Sequence, residues 1–239
     1  MKPTTGRSPT VGSLRRVFVK ICGITSEEDA LLAVAMGADA VGFVFAASPR
    51  QIAPQKAADI VKRLPTEIVT VGVFRDDTRE HVVDTVHHTG LRAAQLHGHE
   101  SPGDSHWIRQ RVSLVVKAFA AGDPALDAAD DYGADAILVD SATPGSGEVF
   151  DWSLAEGAPS NRRIILAGGL TPDNVADAVK VVRPWGVDVS SGVESAPGRK
   201  DAGRMRAFVE AAKAAEPAAS LPQGDRLDRP FDWMVDERS

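Results

Sequence analysis

Lys20-Ile21-Cys22-Gly23-Ile24-Thr25 is the stretch around which the chain is organised, because it closes the first apolar strand and leads into the first predicted helix. Cys22 is the only cysteine in the 239 residues, and it stands where the strand passes into a loop. A single cysteine is more often a small buried apolar residue than a reagent. The rest of the chain repeats the same strand-loop-helix unit, and Cys22 stands at the end of the strand in the first of these units. That position favours a reactive role.

Short β-branched runs alternate with amphipathic runs along the chain. The predicted strands cover residues 17–21, 40–45, 68–74, 93–96, 114–119, 136–139, 163–166 and 186–189. The predicted helices cover residues 26–36, 54–63, 78–88, 102–111, 124–132, 152–155, 173–182 and 202–214. Strand spacings of roughly 20 to 30 residues leave room for one crossover helix between parallel strands. Eight such units predict an α/β fold, a single (β/α)8 TIM barrel over residues 17–216, with an open doubly wound sheet as the alternative.

Several residues mark where the predicted helices begin and end. Thr25 or Ser26 is placed to cap the first helix, whose first turn is acidic and therefore favours the helix dipole. Gly37, Gly90 and Gly133 each follow a predicted helix and precede a strand, as expected of a glycine that ends a helix. These signals support the alternation of helices and strands independently of the apolar pattern.

Composition and charge narrow the class of protein. The chain is 43% hydrophobic and 25% charged, with a net charge of −6. It shows no basic stripe interleaved with aromatic residues, so no nucleic-acid partner is expected. It contains no run of about 18 apolar residues, so no membrane partner is expected either. A single cysteine fits a cytoplasmic location, because that compartment is reducing.

The two ends of the chain differ from the repeated part. Residues 1–16 carry basic residues without an apolar stretch between them, which predicts a short flexible leader and not a secretory signal. Residues 217–239 are rich in proline and charge, which predicts a polar C-terminal tail. Phe231 and Trp233 stand out in this tail, and they are either incidental or a segment that docks on the barrel or on a neighbouring subunit.

Two glycine-rich turns stand where a barrel of this kind places its reacting groups, at the C-terminal ends of strands. Gly168-Gly169 follows the seventh strand, and Ser190-Ser191-Gly192 follows the eighth. Their backbone N–H groups are open to an anion, and the loops after these two strands often hold a phosphate. We therefore expect a phosphorylated small molecule as the ligand, the alternative being two tight turns that only save space.

Further polar side chains belong to the same predicted mouth. Asp140 ends the sixth strand ahead of a loop, residues 141–150, that is long for a strand-to-helix connection. Arg50 lies on the loop after the second strand, where a planar guanidinium suits a carboxylate ligand. The ordinary alternatives are a helix cap or salt bridge for Asp140 and a surface cation for Arg50. His97 and His99 suggest a metal, but no spacing typical of a metal site accompanies them, so no metal is expected.

Together these pieces resemble the phosphoribosylanthranilate isomerase family. The motifs occur in order and are Val19-Lys20-Ile21-Cys22-Gly23-Ile24-Thr25, Gln95-Leu96-His97-Gly98, Val139-Asp140 and Gly186-Val187-Asp188-Val189-Ser190-Ser191-Gly192-Val193-Glu194. Ser146-Gly147, Phe150-Asp151-Trp152 and Leu166-Ala167-Gly168-Gly169-Leu170 belong to the same pattern. The resemblance covers residues 17–214 and says nothing about the leader or the tail.

The resemblance implies an Amadori rearrangement in tryptophan biosynthesis. N-(5-phosphoribosyl)anthranilate becomes 1-(2-carboxyphenylamino)-1-deoxyribulose 5-phosphate, without metal or organic cofactor. The implied general base is Cys22, as a thiolate, and the implied general acid is Asp140, protonated because burial and a nearby phosphate raise its pKa. Arg50 is implied to hold the anthranilate carboxylate. The implied phosphate-binding residues are Gly168, Gly169, Ser190, Ser191 and Gly192, and those implied to support the site are Gln95 and His97.

Other functions share parts of this pattern. Another phosphosugar-handling barrel enzyme would have the phosphate turns, but a ribulose-phosphate epimerase uses metal-bound acids and histidines, and an indole-glycerol-phosphate synthase relies on lysines and a glutamate. Neither explains a thiol on the first strand. A non-catalytic sensor of a phosphorylated ligand is the further alternative, because fold alone does not determine function. The family includes monomers and dimers, so we expect a monomer or a homodimer.

Overall fold

A closed barrel of eight parallel strands forms the centre of the molecule. The structure, a computed structural model, describes residues 17–140 and 162–215. The strands are β1 (Phe18–Ile21), β2 (Ala40–Val44), β3 (Val69–Phe74), β4 (Ala93–Leu96), β5 (Leu114–Ala120), β6 (Ala136–Asp140), β7 (Ile164–Leu166) and β8 (Gly186–Val189). They pair in chain order, and β8 pairs with β1 to close the barrel, so the prediction of a closed sheet is confirmed.

Six α-helices connect or flank the described strands. They are α1 (Glu27–Ala35), α2 (Pro54–Val61), α3 (Arg79–Thr89), α4 (Pro102–Arg109), α5 (Val175–Val182) and α6 (Ala202–Ala214). Ser26 caps α1 by accepting a hydrogen bond from the N–H of Asp29, and Gly90 ends α3 with a φ of 71°. The predicted leader 1–16, the loop 141–150, the short helix 152–155 and the tail 217–239 lie outside the described residues.

The predicted helix over residues 124–132 is present, as a 3₁₀ helix and not an α-helix. Pro124–Tyr132 is a 3₁₀ segment interrupted at Ala128, whose φ of −104° and ψ of 20° are not helical. The side chain of Asp123 caps its start, and Gly133 ends it in the left-handed region. Proline, cap and terminal glycine mark where a helical segment begins and ends, but they do not determine its hydrogen-bond spacing.

A two-stranded antiparallel hairpin after β8 was not predicted. Its strands are β9 (Glu194–Ala196) and β10 (Arg199–Lys200). They are too short to show the period of two by which a strand is recognised in sequence. The hairpin reaches back to the first βα loop, because the hydroxyl of Thr25 donates to the carbonyl of Gly198 at 2.6 Å.

Alternation along β1 separates two environments. Val19 and Ile21 belong to the large core between the sheet and the helices. Phe18, Lys20 and Cys22 are therefore on the other face of the strand, inside the barrel. The interior thus carries an ammonium and a thiol at successive inward positions. No helix in the two described ranges is long and apolar enough to cross a membrane.

Candidate active site

Cys22 lies inside the mouth at the end of β1, 7% exposed, with its backbone N–H bonded to the carbonyl of Val189 at 2.8 Å. Lys20, one inward position deeper, places its ammonium 3.0 Å from a carboxylate oxygen of Asp188. Lys20 and Asp188 are direct neighbours across the β1–β8 pair. A Cβ atom on Gly42 would lie 2.8 Å from the sulfur of Cys22 and 3.1 Å from the nitrogen of Lys20. Thiol and ammonium therefore share one small space that only a glycine on β2 leaves open.

Burial and neighbouring charges shift the pKa values of both Cys22 and Lys20. Burial raises the pKa of the Cys22 thiol, and the ammonium of Lys20 opposes that rise through its charge and a hydrogen bond. Burial works to lower the pKa of Lys20, but Asp188 and Cys22 outweigh it and the pKa is raised. Burial and the charge of Asp188 thus oppose the thiolate form of Cys22, and the ammonium of Lys20 favours it.

Asp140 and His97 meet on the opposite side of the mouth. The Nε2 atom of His97 is 3.2 Å from Oδ2 of Asp140, whose side chain is 14% exposed. The amide nitrogen of Gln95 lies 2.9 Å from Nδ1 of His97. Donation by that amide places the proton of a neutral imidazole on Nε2, where it faces Asp140. The predicted acid is therefore in contact with an imidazole, and not only with the apolar residues expected from the sequence.

The loop that carries His97 is anchored by a buried ion pair. The ammonium of Lys117 lies 2.9 Å from Glu100 and donates to the carbonyl of Gly98 at 2.7 Å. Glu100 also accepts hydrogen bonds from the N–H groups of Gly98 and Asp76. His99, the other histidine of the loop, is bonded to Asp76 at the surface and does not face Asp140. The loop thus presents one histidine to the mouth.

Arg50 is held by a carboxylate of the protein itself. Its Nε and Nη2 atoms donate to the two oxygens of Glu194 at 2.8 and 2.7 Å, and Lys200 lies 2.9 Å from the same carboxylate. Burial would raise the pKa of Glu194, but its bonds to the two cations lower it overall. Nη1 of Arg50 has no hydrogen-bond acceptor within the described ranges. One edge of the guanidinium is fixed, and Nη1 remains available for a second anion.

The predicted phosphate turns come together at the ends of β7 and β8. Gly168 and Gly169 have φ of 84° and 62°. Their N–H groups donate to no acceptor in the described part of the chain. Asn174 closes this turn by accepting from the N–H of Thr171 and donating to the carbonyl of Gly169. A Cβ on Gly192 would collide with the carbonyl oxygen of Leu170, so the two turns are in direct contact.

Ser190 connects the phosphate turns to the rest of the mouth. Its hydroxyl is buried and has no hydrogen-bond partner among the residues that the structure describes. A Cβ on Gly23 would lie 2.9 Å from that hydroxyl and 2.6 Å from Cδ of Arg50, and Gly23 has a φ of 74°. Both the space and the backbone conformation therefore require glycine directly after Cys22. Ser191 begins a short 3₁₀ turn, Ser191–Val193, directly after Ser190.

The predicted site residues lie at one end of the barrel, because each is in the last two residues of a parallel strand or follows one. Four residues that hold them were not predicted as part of the site, namely Lys20, Asp188, Glu194 and Lys200. The first two could have been found, since Lys20 is two residues before Cys22 and therefore on the same face of the strand. Glu194 and Lys200 belong to the unpredicted hairpin. No group of three or more possible metal ligands occurs among the residues that the structure describes.

Comparison with known proteins places this arrangement in one family. A sequence profile described as N-(5'phosphoribosyl)anthranilate (PRA) isomerase matches residues 19–211. The N-(5'-phosphoribosyl)anthranilate isomerase of Pelobacter propionicus is 48% identical over 203 residues, which cover 82% of this chain and 96% of the relative.

Solved structures agree with the profile. Phosphoribosyl anthranilate isomerase from Thermus thermophilus is 44% identical with a TM-score of 0.77, over 82% of this chain and 98% of that one. A second such isomerase, in complex with reduced 1-(o-carboxyphenylamino)-1-deoxyribulose 5-phosphate, is 42% identical with a TM-score of 0.73 over the same shares. The Thermotoga maritima protein, studied as monomers generated from a dimeric isomerase, is 43% identical with a TM-score of 0.73 over 82% of this chain and 98% of that one.

Proposed function

Because the chain belongs to the N-(5'-phosphoribosyl)anthranilate isomerase family, we propose that Cys22 and Asp140 are the base and the acid of its reaction. The enzyme converts N-(5-phosphoribosyl)anthranilate to 1-(2-carboxyphenylamino)-1-deoxyribulose 5-phosphate in tryptophan biosynthesis. The observation that carries the assignment is a buried thiol at the end of β1 and a carboxyl at the end of β6, at the same end of a barrel whose β7 and β8 turns are open to phosphate.

Asp140 opens the sugar ring. Its carboxylic acid donates a proton to the ribose ring oxygen while the nitrogen lone pair forms a C1=N iminium, so one C–O bond breaks and one hydroxyl forms. With Oδ2 accepting from His97, the acid proton is carried by Oδ1. The carboxylate left behind is stabilised by the imidazole N–H, which is why a neutral His97 suits this step.

Cys22 then removes the C2 proton. The electron pair of the C–H bond neutralises the iminium and leaves an enolamine, which becomes the ketone when its 2-hydroxyl loses a proton and C1 gains one. The substrate has gained one proton from Asp140 and lost one to Cys22, so the enzyme is reset when one proton passes from the thiol to the carboxylate. No atom leaves the substrate, as an isomerisation requires.

Binding groups surround these two residues. The open N–H groups of Gly168 and Gly169, with Ser190, Ser191 and Gly192 on the next turn, are proposed to hold the phosphate. The hydroxyl of Ser190, which has no partner in residues 17–140 and 162–215, is a ready donor for a phosphate oxygen. Arg50 is proposed to hold the anthranilate carboxylate through Nη1, since Glu194 occupies its other edge.

Two substitutions test the assignment. We expect Cys22→Ser and Asp140→Asn each to lower kcat by about 10²-fold or more, with KM far less changed, because each removes a proton-transfer group. A coupled assay with anthranilate, phosphoribosyl pyrophosphate and anthranilate phosphoribosyltransferase measures the loss of the fluorescent substrate.

The two histidines of the β4 loop provide a matched pair for the same assay. His97→Gln should lower kcat because it removes the contact with Asp140, and His99→Gln should leave it unchanged, since that side chain is at the surface.

Near-normal turnover of the Cys22 or Asp140 variant would remove that residue from the mechanism. A monomer or homodimer and a cytoplasmic location remain predictions.

A further inference from the structure

Lys20 is a charged group inside the barrel that the binding of substrate does not explain. It is 2% exposed, and its ammonium is bonded to Asp188. A buried ammonium is costly unless it is paired, and a pair of apolar residues would fill the same space at no such cost. A structural role alone therefore leaves the choice of this pair unexplained.

The position of the ammonium points to the thiol. Lys20 and Cys22 are two residues apart on one strand and face the same side. The nitrogen of Lys20 lies 3.1 Å, and the sulfur of Cys22 2.8 Å, from the point where a Cβ atom on Gly42 would stand. Asp188 occupies one side of the ammonium, which has three donor hydrogens, so donors remain for the sulfur.

We propose that Lys20, fixed by Asp188, is a positioning residue that stabilises the thiolate of Cys22 during removal of the C2 proton. The proposal rests on the proposed role of Cys22. The iminium that attracts the thiolate disappears when the proton leaves carbon, whereas the ammonium is present in every state of the cycle. It therefore lowers the energy of the thiolate before the transfer and can help the thiol lose its proton afterwards.

Other charges act on Cys22 as well. Asp188 on β8 opposes the thiolate, and Lys200 on β10 favours it. Arg50, on the loop after β2, is coupled to the thiol through its charge. Of the cations that lower the pKa of Cys22, Lys20 has the largest effect, and its nitrogen shares the space beside Gly42 with the sulfur. Its removal should therefore change the titration of Cys22 more than removal of Lys200 would.

The single cysteine makes the test direct, since alkylation by iodoacetamide reports on Cys22 alone. In Lys20→Met, we expect the alkylation rate at pH 8 to fall about tenfold, which corresponds to a rise of one pKa unit. We expect kcat to fall by a similar factor or more, with KM little changed. Lys20→Arg, which keeps the charge, should retain most of the alkylation rate.

The single variant leaves Asp188 without its partner, so the double variant Lys20→Met/Asp188→Asn separates folding from chemistry. If the pair is only structural, the double variant restores both stability and the alkylation profile of the wild type, and the proposal is overturned. If the proposal holds, stability returns and alkylation stays slower than in the wild type, although the loss of Asp188 recovers part of the rate. Lys117→Met/Glu100→Gln is the matched control, because it removes another buried ion pair and should leave the thiol titration unchanged.

A measurement on the wild-type protein covers the case in which the variants fail to fold. The ¹³Cε resonance of Lys20 should shift at the pH where Cys22 loses its proton, and this step should be absent in Cys22→Ser. A Lys20 resonance that does not respond to Cys22 overturns the proposal. Normal turnover of Cys22→Ser would instead refute the base assignment, so the two failures are distinguishable.

Discussion

Two lysines inside this barrel are equally buried, at 2% exposed, yet they meet different surroundings. Lys117 gives its donors to Glu100 and to the carbonyls of Gly98 and Leu96, so its hydrogens are used by the protein. Lys20 has one carboxylate oxygen of Asp188 and, beside it, the sulfur of Cys22. The comparison teaches that a buried ion pair is structural when every donor is used by the fold, and chemical when a donor is left for a reacting atom.

The largest expected effect on the free energy of unfolding tests whether the buried pair of Lys117 and Glu100 is structural. Lys117→Met should lower the free energy of unfolding by about 3 to 5 kcal/mol, because it leaves the carboxylate of Glu100 buried without a cation. Urea unfolding followed by circular dichroism measures the loss. Lys117→Met/Glu100→Gln should recover most of it, since a glutamine oxygen still accepts from the N–H groups of Gly98 and Asp76. A loss below about 1 kcal/mol for the single variant would contradict a structural role for the pair.

A smaller effect concerns the third buried lysine, Lys200, which shares Glu194 with Arg50. The pKa of Glu194 is lowered by these two cations, although burial opposes them. Its ionised form therefore stabilises the fold above the ordinary glutamate pKa of about 4.3, and this stabilisation is lost as the pH falls through the lowered value. Glu194→Gln should cost about 1 to 3 kcal/mol at pH 7.

The pH dependence gives that experiment its control. The difference in unfolding free energy between the wild type and Glu194→Gln should narrow below about pH 4. Glu67→Gln, at an exposed position, should leave the free energy of unfolding at pH 7 nearly unchanged. A difference that stays constant from pH 7 to pH 3 would show that the ionisation of Glu194 does not contribute.

The smallest expected effect on the free energy of unfolding is that of an ion pair at the surface. Lys62 and Asp59 form an ion pair of 3.6 Å with side chains that are 70% and 63% exposed. Lys62→Met should change the free energy of unfolding by less than about 0.5 kcal/mol, because water screens the pair. A loss as large as that of Lys117→Met would mean that burial is not what separates structural from incidental pairs in this barrel.

The sequence predicted the repeated architecture well, because each unit carries its own local signals. Ser26 caps α1 and Gly90 ends α3, as their residue types indicate. The 3₁₀ form of Pro124–Tyr132 was not predicted, since the same proline and glycine also mark an α-helix. Local signals thus locate elements more reliably than they determine the pitch of a short helix.

Only the parts of the site that stand at the ends of strands could be predicted from the sequence. Cys22 and Asp140 could be assigned to the mouth because each ends a parallel strand. The bond between Arg50 and Glu194 joins residues 144 positions apart and depends on closure of the barrel. The rise in the pKa of Cys22 depends on burial by the surrounding strands, which no local sequence pattern reports.

The partner of Lys20 lies 168 residues further along the chain. At a synthesis rate of about 5 to 20 residues per second, roughly 10 to 30 s pass between the appearance of Lys20 and that of Asp188. Until then the emerging polypeptide holds its one thiol without the strand that shields it. The sulfur is therefore shielded only after β8 has been made, and ribosome-bound chains that stop before β8 should react with a thiol reagent faster than the released enzyme does.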